Sequence, residues 1–117
     1  MEIESIREYC LQKPGVTEGM KWGDHLTFMV AEKMFAIFGL DQTPINASFK
    51  VSDEDFELMQ HQLGMRAAPY LARYKWIAID DIGIIPESDW KRILDNSYEL
   101  IKNKLPKKVQ ASITALN

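Results

Sequence analysis

The side chains best suited to metal ligation or thiol chemistry in this chain are Cys10, His25 and His61, and they stand far apart in sequence. A zinc-type centre draws several such ligands from short, fixed spacings, so no metal site is expected. His25 at a strand start and His61 near a helix end read as solvated or lightly hydrogen-bonded histidines, and Cys10 as a core residue. No Gly-x-Ser-x-Gly elbow occurs, and the glycines at 15, 19, 23, 39, 64 and 83 never gather into a phosphate-cradling loop. Hydrolase and nucleotide-dependent chemistry are therefore without support, no cofactor is implied, and the reading is non-enzymatic.

Carboxylates cluster at Asp53, Glu54, Asp55 and Glu57 and again at Asp80 and Asp81. Acids in a first helical turn answer its exposed N–H groups, and successive positions point in different directions, so helix-start chemistry is preferred to cation binding. Charge is segregated along the chain. Residues 51–63 carry four acids and no base, while residues 64–76 carry Arg66, Arg73 and Lys75 with no acid. Residues 77–89 again carry four acids, and residues 104–117 carry Lys104, Lys107 and Lys108 alone. A polarised surface follows from that pattern. In the first basic stretch Tyr70, Tyr74 and Trp76 are interleaved with cations, the combination that pairs phosphate contact with stacking. Tyr and Trp beside a strand more often pack, so these residues alone favour a structural role.

The elements that must position these groups can be read from periodicity. Ile3, Ile6, Cys10 and Leu11 recur at helical spacing until Pro14-Gly15 stops the run. A polar connection is expected next. Leu26, Phe28 and Val30 then alternate with polar or flexible neighbours, and Met34 to Leu40 forms a second strand after an Ala31-Glu32-Lys33 hairpin turn. Ile45, Ala47, Phe49 and Val51 alternate with Asn46, Ser48 and Lys50, giving a third strand with one wet face. Ser52 caps a second helix whose buried stripe would be Phe56, Met59 and Leu63, ending at Gly64. Residues 65–74 read as a structured loop with room for one helical turn, and Trp76 to Asp80 as a strand with Ile77 and Ile79 on one face. The longest helix starts near Pro86, carries Trp90, Ile93, Leu94, Ser97, Ile101 and Leu105 on one side, and stops at Pro106. Tyr98 on that helix reads as packing, with its hydroxyl at the rim.

This order implies an α+β domain, an antiparallel sheet covered by helices on one face. The 117 residues read as one domain, 1–117, with 106–117 a polar C-terminal tail. Hydrophobic residues at 46% and charged residues at 26% are ordinary for a globular chain, and no apolar run reaches the ~18 residues of a membrane span. The N-terminus lacks the layout of a secretion signal, making the cytoplasm the expected compartment. Seventeen acids against fourteen bases give a net charge of −3, which opposes bulk attraction to nucleic acid or anionic lipid.

Longer stretches carry a resemblance. Tyr9-Cys10-Leu11 precedes Pro14-Gly15-Val16-Thr17-Glu18, then come Lys21-Trp22-Gly23, Glu32-Lys33-Met34-Phe35 and Ser48-Phe49-Lys50-Val51. Ala68 through Trp76, Ser97-Tyr98-Glu99-Leu100 and Lys104-Leu105-Pro106-Lys107-Lys108 complete the set. In order and spacing these resemble the MmcQ/YjbR family, small bacterial proteins described as DNA-binding, with a fold similar to the frataxin homologue CyaY. The resemblance implies a CyaY-like fold and DNA as partner. It assigns Arg66, Arg73, Lys75, Lys107 and Lys108 to phosphate contact, with Lys21 and Lys50 as additions, and Tyr70, Trp22 or Trp76 to stacking. The alternative is an adaptor that uses the same aromatic and cationic surface for an acidic protein or small ligand. A third reading, by fold analogy alone, is iron handling through the acids at 53–57.

Overall fold

The computed structural model describes residues 1–115. Helix α1 (Ile3–Leu11) leads into strands β1 (Val16–Lys21), β2 (His25–Val30), β3 (Lys33–Gly39) and β4 (Asn46–Lys50). Helix α2 (Asp53–Met59), strand β5 (Met65–Ala67), a 3-10 turn at Ala72–Tyr74 and strand β6 (Trp76–Ile79) follow. A second 3-10 turn at Ile82–Ile84 introduces helices α3 (Glu87–Lys102) and α4 (Lys107–Thr114). The six strands form one antiparallel sheet in the order β1-β2-β3-β4-β6-β5.

Because strand side chains alternate between faces, the sheet has two unlike sides. One presents Leu26, Phe28, Phe38, Phe49, Ile77 and Ile79 to Ile6 and Cys10 of α1, Phe56 of α2, Trp90, Leu94 and Tyr98 of α3, and Ile113 of α4. The other carries a small satellite cluster of Ile37, Ala68, Trp76 and Ala78, with Leu71 packed against it. All four helices thus serve the first face, as expected. The 68–75 connection, and no helix, reaches over the second.

Helix α3 is fixed by polar groups as well as by its apolar stripe. Trp90 Nε1 donates to the Ile82 carbonyl at 2.9 Å, Ser97 Oγ to the Lys50 carbonyl at 2.6 Å, and Tyr98 Oη to the Pro14 carbonyl at 2.6 Å. Helix α1 is held by Arg7, whose Nε and Nη2 reach both carboxylate oxygens of Glu18 on β1 at 2.7 Å each. It also reaches α3, where Asp95 accepts from Tyr9 at 2.8 Å and from Lys13. Burial pushes the Cys10 thiol up to about 12, which keeps it protonated in the core.

Four expectations need correction. The polar connection after α1 is strand β1, disguised because its core-facing series Val16, Glu18, Met20 is broken by a glutamate that Arg7 satisfies. The 65–74 loop contains β5, three residues paired to β6, too short to show a period. The tail is helical over Lys107–Thr114, and its Ile113 is buried against the space left by Gly15; positions 116–117 lie outside the described residues. Leu63 is 99% exposed, because α2 ends at Met59 and the chain turns before Leu63 can join the stripe. Ser52 does cap α2, accepting from the Asp55 N–H at 3.1 Å, and Gly64 is left-handed at φ +81°.

Truncating the α4 anchor tests that docking. Ile113→Ala should lower unfolding stability by about 2–5 kcal/mol in a urea titration, the cost of emptying a packed aliphatic site. An unchanged midpoint would mean that α4 carries none of the fold's stability.

Candidate nucleic-acid interface

The antiparallel register sorts the ten sequence-derived site residues between the two ends of the sheet. At one end β1 stops at Lys21, β2 starts at His25, β3 stops at Gly39 and β4 starts at Asn46. Lys21 and Trp22 lie there. Arg66 lies toward the same end, on β5, and reaches Asp80 just past the end of β6. At the opposite end β4 stops at Lys50 and β6 starts at Trp76, so Lys50, Lys75 and the Arg73–Tyr74 turn lie there. The two ends of β4 are about 13 Å apart at ordinary strand rise.

Two assignments are corrected outright. Trp76 is 4% exposed and packs into the satellite cluster with Ile37 and Ala78, so it has no face left for a base. Lys50, expected on a wet face, is 5% exposed, and its Nζ donates to the Val51 carbonyl at 2.8 Å. Arg66 is compromised differently, since its Nη1 is paired with Asp80 at 2.7 Å.

Lys50 nevertheless reports on what surrounds it. Loss of water around its ammonium holds its pKa below the ordinary 10.5, and the charges of Lys104 and then Lys75 push it the same way, against an opposing pull from Asp53. The geometry agrees: the Lys75 carbonyl accepts the Val51 N–H at 2.9 Å, and Ser97 ties α3, which leads to Lys104, to the Lys50 carbonyl at 2.6 Å. Lys107 and Lys108 are exposed and begin α4 directly after that corner, and α4 ends on Gly15, which precedes β1 at the same end of the sheet. Among the described residues the ion pairs engage Arg7, Lys13, Arg66, Lys91 and Arg92, and none engages Arg73, Lys75, Lys104, Lys107 or Lys108. The sequence pattern had marked Lys104 as a cation without assigning it a role. Its place follows from the length of α3, which nothing local to residue 104 reveals.

Aromatic groups accompany both ends. Tyr70 is 99% exposed in a left-handed backbone at φ +66°, a conformation a bulky residue rarely adopts. The Arg73 guanidinium lies 4.7 Å from the centre of the Tyr74 ring, and Lys75, also left-handed, holds its ammonium 4.9 Å from the centre of the Phe56 ring. At the other end Trp22 is 66% exposed and left-handed at φ +49°, its ring edge-on to His25 at 6.2 Å.

Two of the surface cavities bear on function. The larger, about 520 Å³, lies between α2 and α3 and is lined by apolar groups such as Leu58, Met59, Met65 and Ile93 together with Asp55, Asp89, Arg92 and Asn96. A smaller one of about 250 Å³ opens on the helix-free face of the sheet. Among the described residues no three His, Cys, Asp or Glu side chains are placed to share a metal ion. No helix of the described residues is long and apolar enough to cross a membrane.

The YjbR family model matches residues 11–100. The Escherichia coli K12 protein YjbR, itself described as uncharacterized, is 26% identical over 118 residues, spanning 99% of this chain and all of its own length. A crystal structure of Deinococcus radiodurans protein DR2400, a DUF419 domain, superposes with a TM-score of 0.85 at 22% identity, covering 96% of this chain and 87% of that one. A Pseudomonas syringae protein of known structure superposes at 0.68 with 16% identity, over 86% of this chain and 98% of that one. These two structures bear on the fold alone.

The buried lysine gives a pH signature. Folded Lys50 holds its proton less tightly than the unfolded chain does, so between its lowered value and 10.5 the unfolded state carries more protons and stability rises with pH. Lys50→Met should remove that rise relative to the parent chain in urea titrations across the alkaline range. Identical slopes for both proteins would contradict the assignment.

Proposed function

The chain belongs to the YjbR family, and from that premise we propose that it is a non-enzymatic module that binds nucleic acid through the Lys50 end of its sheet. Phosphate contacts come from Arg73, Lys75, Lys104, Lys107 and Lys108, with Tyr70 available for stacking. The observation that supports this reading is geometric: the Val51 N–H donates to the Lys75 carbonyl at 2.9 Å and Ser97 of α3 to the Lys50 carbonyl at 2.6 Å, which brings the loop and the last turns of α3 to one end of the sheet, where Arg73, Lys75, Lys104, Lys107 and Lys108 form no ion pair among the described residues. Such a cluster is self-repelling, and an anionic polymer relieves that repulsion. The net charge of −3 then acts as a filter, confining contact to one end of the molecule.

A second reading, an adaptor for an apolar group, is favoured by the 520 Å³ cavity and by the neighbouring exposure of Leu58, Leu63 and Ile84. Binding that is indifferent to salt and blocked by Leu58→Glu would select it.

Fluorescence anisotropy with a labelled oligonucleotide separates the two. Engagement of about three to five phosphates predicts a log–log salt slope near −3 to −4.5 on duplex DNA. Replacing Lys104, Lys107 and Lys108 by Gln should flatten that slope by roughly 2–3, about 0.9 per lost contact. Absent binding at tens of micromolar, or a slope unmoved by the triple variant, would overturn the proposal.

A further inference from the structure

The helix-free face of the sheet holds a second feature, at the end opposite the lysine cluster. Its 250 Å³ cavity has a floor of small groups, Gly39, Ser48 and Ala78, flanked by Ile37 and Pro69 and edged by His25, Asn46 and Arg66. A cavity of roughly 150 Å³ accommodates a benzene ring, so this one has room for a larger planar heterocycle. The floor is kept open by sequence. A Cβ at Gly39 would stand 2.2 Å from Asn46 Oδ1, so only glycine lets the Asn46 amide lie across that strand.

Three kinds of small ligand can be weighed against these walls. An apolar molecule would leave the Asn46 amide and the Ser48 hydroxyl without partners, and it would do nothing for His25 Nδ1. That nitrogen is the one buried side-chain polar atom among the described residues that lacks a hydrogen-bond partner. A small anion gains little, because Arg66 is already neutralised by Asp80 at 2.7 Å and the incoming charge would face that carboxylate. A neutral ring with donors and acceptors along its edge meets every requirement. Its faces would rest on small and apolar groups, and its edge would answer an imidazole nitrogen, an amide and a hydroxyl. The exposed Trp22 ring, edge-on to His25, supplies further aromatic surface near the groove.

We infer that this groove is a nucleobase pocket, taking one unstacked base edge-on to His25, Asn46 and Ser48. The inference rests on the nucleic-acid reading above and narrows it to single strands, because a base inside a duplex cannot offer its pairing edge to a sheet face. Lys21 and Arg66, remote from the lysine cluster, then flank the base rather than extend the phosphate track.

With only two histidines in the chain, imidazole NMR of the full-length protein reads the pocket directly. Adenosine and cytidine, titrated separately, should shift the His25 resonances saturably and leave His61 in place, whereas ribose 5-phosphate should shift neither. Asn46→Ala should abolish the nucleoside response while retaining the dispersed spectrum of a folded chain, and Gly39→Ala should do the same by displacing the Asn46 amide. If either variant fails to fold, comparison of a single-stranded oligonucleotide with its abasic counterpart serves instead, with the abasic strand expected to bind about tenfold more weakly. Equal shifts from ribose 5-phosphate, parallel drift of both histidines, or no nucleoside response would overturn the pocket. Nucleoside binding without salt-dependent oligonucleotide binding would support the pocket and sink the phosphate reading; the converse result would sink the pocket alone.

Discussion

The seating of α3 on the sheet governs where everything else falls. Its apolar stripe alone would permit sliding, since Trp90, Leu94 and Tyr98 bury against a broad aromatic floor of Phe35, Phe38 and Phe49. Three donors on the same side of the helix remove that freedom by reaching carbonyls in three separate segments, at Ile82, Lys50 and Pro14. A shift by one helical turn, about 5.4 Å, would strand all three buried or half-buried carbonyl partners, each at a cost of roughly 1–3 kcal/mol. The Ser97 bond is the one with functional consequence, because it ties the helix to the backbone of Lys50 itself.

From that anchor the polarity of the surface follows. With Ser97 fixed at the end of β4, the last turn of α3 must pass the same corner, which puts Lys104 beside Lys50 and starts α4 with Lys107 and Lys108 just beyond. The 68–75 connection arrives from the other direction because β5 and β6 are antiparallel, and its left-handed Lys75 accepts the Val51 N–H at 2.9 Å. Segments nearly thirty residues apart thus deliver like charges to one place. The fold tolerates this by letting one of them, Lys50, sit on a backbone carbonyl with a weakened hold on its proton. Asp53, at the start of α2, is the acid that pulls the Lys50 charge the other way, whereas Asp80 is paired with Arg66 at the far end of the sheet.

Elements whose apolar residues repeat over two or more turns or pleats were legible in the sequence. Helices α1 and α3, strands β2, β3 and β4, the Ser52 cap and the opposite facing of Ile77 and Trp76 all declare themselves through spacing and composition. What escaped was set by partners rather than by local pattern. Glu18 hides β1 because its carboxylate is satisfied by a helix eleven residues earlier, and β5 exists only as a partner of β6. The turn between β2 and β3 places Ala31 and Glu32, neither a usual choice, at φ +47° and +67°. Site residues failed for a similar reason: composition marks a cation or an aromatic, yet only the register shows that Trp76 is sealed under a loop, that Lys50 is buried, and that Lys21 and Arg66 belong to the far end.

The convergence of loop and helix-end cations on Lys50 is measured most directly by the pKa of its ammonium, followed by NMR in the parent chain, in Lys104→Met and in Lys75→Met. Removing either neighbour should move that pKa upward toward 10.5, with Lys104 the larger step. A Lys50 titration that ignores both substitutions would show that the two segments do not share a surface, and the proposed interface would lose its foundation.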